Sequence, residues 1–276
     1  MIAHYVSQVP DTQAGIWLPQ EACGFDIADT SSLTRLNNLP NGVRGLLWAG
    51  NSAQLQDFTT FRDHVLRFQN NPKLFGIYVA DEPRIERITP PEIRRRTDFV
   101  RTNFPGVVSY VKLTNHGPNV REPRWAPYTP DQTGADYTGI GGYSVRTHLQ
   151  TQPGGWDQGL IERYVAAALH EGILLNQIIP CMQAFGGTAS WPIPTRPQMR
   201  GMFDNWRRVV PNPLWDHTYS WQVQAAWGTV SLANSDMMRM EVNRHFALLE
   251  NPPASALRVT VDGNPVYGSK VTVEAR

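Results

Sequence analysis

Short apolar runs alternate with amphipathic segments along most of this chain, and that alternation limits its fold more than any other feature. Runs that read as strands occupy residues 2–8, 43–50, 74–81, 107–114, 137–143, 177–185 and 217–224. Between them, apolar residues recur at three- and four-residue spacing: Leu55, Phe58, Phe61, Val65 and Phe68, then Leu160, Ile161, Tyr164, Val165, Ala168 and Leu169, then Met199, Met202, Phe203, Trp206 and Val210. Each set gives a helix one apolar stripe to lay against a sheet. A strand that returns through a helix re-enters the sheet in the same direction, so the strands are expected to be parallel.

The natural closure of such a series is a (β/α)8 TIM-like barrel, and 276 residues suffice for one as a single core. The eighth strand is not obvious. Residues 15–18 are short, so a barrel with one degenerate strand is expected. An open doubly wound sheet is second, but it would want a glycine-rich phosphate turn after its first strand, and none is present. Thr89-Pro90-Pro91-Glu92 is a capping box with proline at the first helical position, which fixes the start of the helix through Ile93, Val100 and Phe104. Residues 115–135, rich in proline and weakly periodic, read as a long loop over the carboxyl face. After Pro252-Pro253, alternation at Leu257, Val259 and Val261 and again at Val271 and Val273 predicts a β-hairpin. The expected organisation is a barrel over 1–250 and a hairpin appendage over 251–276.

Several function classes are disfavoured. With 25 basic and 24 acidic side chains, bulk charge offers nothing to a polyanion, so nucleic acid is not an expected partner. Cys23 and Cys181 match no zinc motif, and Cys181, inside an apolar run, reads as an inert buried thiol. Of the seven histidines only His4 falls near a strand end on the proposed face, which leaves a metal site weak; no metal or cofactor is expected. No Gly-x-Ser-x-Gly elbow is present. No apolar stretch reaches the roughly twenty residues of a membrane helix, and the first residues lack the pattern of a signal peptide. The expected setting is extracellular or cell-envelope if an export signal has been removed, and otherwise cytoplasmic or phage-borne, with the chain acting as a monomer.

Chemistry concentrates at 74–83. Leu74 to Ala80 are almost wholly apolar, as in a strand covered on both faces, and they run into Asp81, Glu82 and Pro83. Acids at the carboxyl end of a barrel strand stand where barrel enzymes keep catalytic groups. Other strand ends contribute His4, Tyr5, Trp48, Asn51, Lys112, Tyr143, Gln183, Trp221 and Gln222, with Trp227 just beyond. Amides for hydroxyl groups and rings for stacking suit a neutral, many-hydroxyl ligand. Trp48, Tyr143, Trp221 and Trp227 are expected to line one groove, with Gln183 and Gln222 between them and Trp125 and Tyr128 on the long loop as a wall.

Tyr78-Val79-Ala80-Asp81-Glu82-Pro83 resembles the strand end of (β/α)8 glycoside hydrolases, in which an acid ahead of proline is the general acid. Residues 139–143 and 180–185 are similar to later strands of glycosidase-like bacterial barrels. The resemblance implies a poly- or oligosaccharide substrate, Glu82 as proton donor to the glycosidic oxygen, and Asp81 hydrogen-bonding within the site. That role requires a raised pKa for Glu82, which burial among Tyr78, Trp48 and Tyr143 would supply.

One departure matters. Retaining barrels of this kind carry a glutamate nucleophile on a late strand, but here that strand offers Ser220-Trp221-Gln222-Val223-Gln224. Three explanations stay open: Asp81 is the second carboxylate, Asp26, Asp29 or Asp136 reaches in, or the barrel binds sugar without hydrolysing it. Adjacent strand residues point to opposite faces, which counts against the first unless the strand end leaves the pleat. Asp136, at the start of its strand, reads as structural, and Asp26 and Asp29 are the better distant candidates.

Overall fold

A computed structural model describes residues 2–9, 13–49, 57–147 and 156–250. Its first half runs β1 (Ala3–Val6), α1 (Gln13–Cys23), β2 (Ile27–Thr30), α2 (Leu33–Asn37), β3 (Arg44–Trp48), α3 (Phe58–Leu66), β4 (Leu74–Asp81) and α4 (Pro90–Asn103). The second half runs β5 (Val108–Leu113), α5 (Pro130–Thr133), β6 (Tyr137–Gly141), α6 (Leu160–His170), β7 (Ile178–Gln183), β8 (Phe185–Gly186), α7 (Arg196–Val209), β9 (Trp215–Tyr219), β10 (Val230–Ser231) and α8 (Asp236–Glu250). Strands β1 to β7 and then β9 pair in sequence order, all parallel, and β9 pairs with β1 to close the barrel. The closed (β/α)8 barrel rules out the open doubly wound sheet. Strand β4 lies between β3 and β5, with Thr89 capping α4 through the Glu92 amide, as the capping box requires.

The eighth strand is β2, not 15–18, which lie within α1. Its sequence, Ile-Ala-Asp-Thr, is half polar and only four residues long, so it gives little apolar signal. The last barrel strand starts two residues before the expected position and ends at Tyr219, because Asp216 and Thr218 alternate with Trp215 and His217 and disguise it. A pair of short antiparallel strands, β8 and β10, ties the loops after β7 and β9 together at the carboxyl mouth. The expected hairpin at 251–276 lies outside the described residues.

The interior is filled by rings. Trp215 meets Tyr110 at 4.7 Å and Tyr5 at 5.8 Å between ring centroids, and Tyr78 meets Tyr110 at 4.7 Å. Gly139 makes room for this packing: a Cβ there would stand 2.0 Å from the Tyr110 hydroxyl. A larger apolar layer between strands and helices includes Val79, Val111, Ile140, Met182 and Phe203. Asp136 accepts from the Ser109 amide and hydroxyl at the opposite rim, a structural role as expected.

Helix α8 is locked to the barrel wall by buried charge. Asp216 accepts from His4 Nδ1 at 2.8 Å, His245 of α8 lies 3.8 Å from the same oxygen, and His4 stacks on Phe246 at 3.6 Å. Burial alone would lower the His4 pKa, but the charge and hydrogen bond of Asp216 outweigh it and raise it. Burial would likewise raise Asp216, yet His4 and His245 hold it below the usual carboxylate range. Removing one member leaves its partner's charge buried, so Asp216→Asn should cost about 3–5 kcal/mol. A group with a raised folded pKa stabilises fully below its unfolded value and loses that contribution as pH climbs through the folded one. The deficit of the variant in denaturant melts should therefore be largest between about pH 5 and 6.5 and smaller at about pH 9; a pH-independent deficit would contradict the ion pair.

Candidate active site at the carboxyl mouth of the barrel

Two irregularities at the end of β4 bring its consecutive acids to one place. Pairing with β5 runs Tyr78 to Tyr110, then skips to Ala80 with Val111 and Asp81 with Lys112. The extra residue is a β-bulge, which re-aims the side chains beyond it. Tyr78 and Asp81 thus share the interior side, where the Tyr78 hydroxyl donates to Asp81 Oδ1 at 2.7 Å. Glu82 then adopts φ +46°, a left-handed conformation that costs a non-glycine residue roughly 1–2 kcal/mol. The strand has left its pleat, and the alternation of faces no longer separates the two side chains.

Lys112, rising from β5 and almost wholly buried, joins them. Its Nζ lies 2.5 Å from Glu82 Oε1 and 3.7 Å from Asp81 Oδ1. These two oxygens therefore fall short of the roughly 6.5 Å at which inverting pairs begin. The environments push the acids apart. Enclosure raises the Asp81 pKa, with Lys112 opposing and Glu82 adding to the rise. The Lys112 ammonium lowers Glu82 against the effect of burial, helped by Arg146 and Arg84. The expected raised pKa of Glu82 is thus reversed, because the carboxylate meets a cation and not only rings. Burial disfavours the Lys112 charge, but its neighbours, Glu82 and Asp81 among them, hold it protonated with a raised pKa.

A small cavity opens beside Glu82, lined by Asn115, Trp125, Tyr143, Arg146 and Tyr164. A broader open groove, between Arg94, Arg101, Asp131 and Tyr137, lies by the start of β6 and away from the acids. Among the described residues no group of three His, Cys, Asp or Glu side chains is placed to hold a metal ion. Beneath the carboxylates the Tyr110 hydroxyl contacts Cys181 Sγ at 3.3 Å and His217 Nδ1 at 3.1 Å, and His217 Nε2 meets Ser7 Oγ at 3.2 Å. Burial and Lys112 hold His217 well below its usual pKa, so it is neutral. Burial pushes the Cys181 thiol up to about 12, and both cysteines are free and buried.

The structure sorts the candidate residues. Asp81, Glu82, Lys112 and Tyr143 come together, with Lys112 Nζ 5.5 Å above the Tyr143 ring. Trp48, half-buried, stands edge-on to Tyr78 at 4.7 Å beside them. Tyr5 is buried in the ring-filled barrel interior. His4 points outward to α8. Asp26 precedes β2 at the opposite rim and accepts from the His4 amide at 2.6 Å. Asp29 sits at the mouth but is committed to the Val9 amide at 3.0 Å and to Arg35. Gln183 is fully buried and exchanges two hydrogen bonds with the Val145 backbone at 3.0 and 3.1 Å. Trp221 belongs to the core at 4% exposure, and Gln222 is exposed with its amide bound to the Gln8 carbonyl. Asn51 lies outside the described residues.

The four aromatic residues expected to line one groove do not come together, and a different set of rings is in contact. Trp227 is exposed and meets Trp191 at 6.3 Å, and Trp191 meets Tyr143 at 6.0 Å. Trp191 and Arg146, which sequence reasoning missed, sit on irregular loops where no periodicity marks them. Trp125 is fully buried, donating its indole N–H to the Tyr164 carbonyl, while its amide and that of Ala126 both bind the Glu171 carboxylate. Tyr128 is buried as well and donates to the Ile88 carbonyl. The loop after β5 is a fixed wall, not an open stacking surface.

Comparison with solved structures finds the same barrel fold in several glycoside hydrolases. It is similar to the endo-1,4-β-mannanase of Rhizomucor miehei (TM-score 0.62, 9% identity, 90% of this chain and 95% of that one). It is also similar to a GH18 chitinase of Flavobacterium johnsoniae (TM-score 0.58, 10% identity, 87% and 94%). A fungal endo-β-N-acetylglucosaminidase of glycosyl hydrolase family 18 has TM-score 0.56 and 11% identity over 92% and 99%. At such identities the likeness shows a shared (β/α)8 fold. No family model and no curated protein sequence matches the chain.

Because Lys112 sets the charge of the pair, Lys112→Met should move the Glu82 titration upward, towards or past the ordinary carboxylate value. Carbon NMR of the Glu82 side chain reads this directly, and an unmoved midpoint would show that Lys112 does not govern the acid.

Proposed function

We propose that the protein is a glycoside hydrolase whose two catalytic carboxylates are Asp81 and Glu82. The observation that carries this reading is the convergence of both acids on one ammonium at the barrel mouth, with pKa values driven in opposite directions. Paired groups so separated are suited to opposite roles in acid–base chemistry. Asp81, with the raised pKa, carries the proton for the leaving glycosidic oxygen. Glu82, kept as the anion, attacks the anomeric carbon to form a glycosyl ester, and Asp81 as base then activates the water that hydrolyses it. The short separation of their oxygens supports this double displacement, which retains configuration, over single displacement through an intervening water. Names among the structural neighbours support a polysaccharide substrate, with mannan and chitin oligosaccharides as the first to try.

The roles are separable by leaving group. Asp81→Asn should lower turnover of an oligosaccharide by about 10²–10⁴-fold but spare the first step on an aryl glycoside, whose departing phenolate needs no proton. Glu82→Gln should abolish both. Near-normal hydrolysis by Glu82→Gln would overturn the assignment. Tight oligosaccharide binding by the unaltered chain without turnover would replace it with a noncatalytic carbohydrate-binding barrel.

A further inference from the structure

The cavity beside Glu82 carries more positive charge than its acids use. Glu82 is held by Lys112, yet the Arg146 guanidinium lines the same cavity and the charge of Arg84 also acts on Glu82. Arg84 reaches Thr114 Oγ1, on the cavity wall, at 3.5 Å. Arg146, itself a wall residue, lies with its guanidinium 4.2 Å over the Trp191 ring and 6.0 Å from that of Tyr143. Its Nε is buried without a hydrogen-bond partner, and among the described residues no carboxylate stands within ion-pair distance of it. A desolvated guanidinium is an expensive group to leave unpaired. Stacking on an indole fixes its plane and orients its remaining N–H groups, which suits a planar carboxylate taken in bidentate fashion.

Resting on the glycosidase reading, we propose that this cavity selects an acidic sugar: Arg146 receives the carboxylate of a uronic acid residue, with Trp191 holding the guanidinium plane. Arg84, whose charge also acts on Glu82, adds long-range attraction. The substrate is then a uronate-containing glycan, and the neutral many-hydroxyl ligand suggested by the strand-end amides is replaced by an anionic one. Gln183 and Trp221, the residues that argued for neutrality, are buried in structural contacts, whereas the guanidinium is at the cavity.

The test is an NMR titration of the full chain with glucuronate, glucose and glucose 6-phosphate at low salt. Glucuronate should bind at least tenfold more tightly than glucose, and the preference should shrink as salt rises. Arg146→Gln should bring glucuronate down to the level of glucose. If that variant does not fold, Arg146→Lys, which keeps the charge but not the planar fork, should weaken glucuronate severalfold. Equal binding of glucuronate and glucose overturns the proposal, as does full retention of the preference by either variant. Preference for the phosphate over glucuronate overturns the carboxylate assignment. Because binding is read without turnover, a chain that hydrolyses nothing yet prefers glucuronate would refute the glycosidase reading alone. One that cleaves a neutral glycan without preferring glucuronate would refute this proposal alone.

Discussion

Neighbouring residues on a β-strand face opposite sides, so a barrel ordinarily cannot aim two consecutive side chains at one ligand. At the end of β4 this constraint is lifted twice, by the bulge around Val79 and by the left-handed Glu82. What holds the irregular backbone is Lys112: its ammonium binds both acids, and its carbonyl accepts the Glu82 amide at 2.8 Å. Side chain and main chain of one residue on the adjacent strand fix the same turn. Strain of this kind persists when surrounding contacts over-determine it, and here those contacts are also the site's charge balance.

The ring-filled interior explains why the charges gather at the mouth. Tyr5, Tyr78, Tyr110 and Trp215 leave little room for water in the middle of the barrel, and His217 among them remains neutral. Inside the barrel, Asp81, Glu82 and Lys112 stand at the mouth, where they offset one another. Tyr78 links the two zones, its ring packed on Tyr110 and its hydroxyl donated to Asp81. A shift of the packed rings would therefore be felt by the carboxylate above them.

The barrel was legible because burial on both faces leaves long apolar strands, as in β4 and β7, and because helices such as α7 show an unbroken stripe. Strand β2 escaped notice for the opposite reason: four residues with Asp29 and Thr30 among them resemble a loop. At the site, Asp81, Glu82, Lys112 and Tyr143 could be found because each ends or closely follows a strand. Gln183 and Trp221 occupy equivalent places in the sequence but turn to the Val145 backbone and to the core. Position along a strand gives depth in the barrel, whereas the direction of a side chain beyond the strand depends on loops whose course periodicity does not report. Arg146 and Trp191 belong to such loops, so only the tertiary structure joins them to Glu82.

A lysine at the mouth of a barrel invites comparison with enzymes whose amine attacks a carbonyl carbon to form an imine. Such a lysine must be available as the free base, which active sites secure by desolvation or a neighbouring cation. Lys112 meets the first condition, since it is almost wholly buried, but its nearest charged neighbours are the carboxylates of Glu82 and Asp81. Together with Tyr143, they outweigh the penalty of burial and keep the ammonium. A protonated amine has no lone pair to attack with, so the part left to Lys112 is electrostatic. Without Lys112, two acids in near contact could not both ionise at neutral pH. The ammonium is what allows Glu82 to remain an anion beside Asp81, and the difference between two otherwise similar carboxyl groups follows from which of them lies nearer to it.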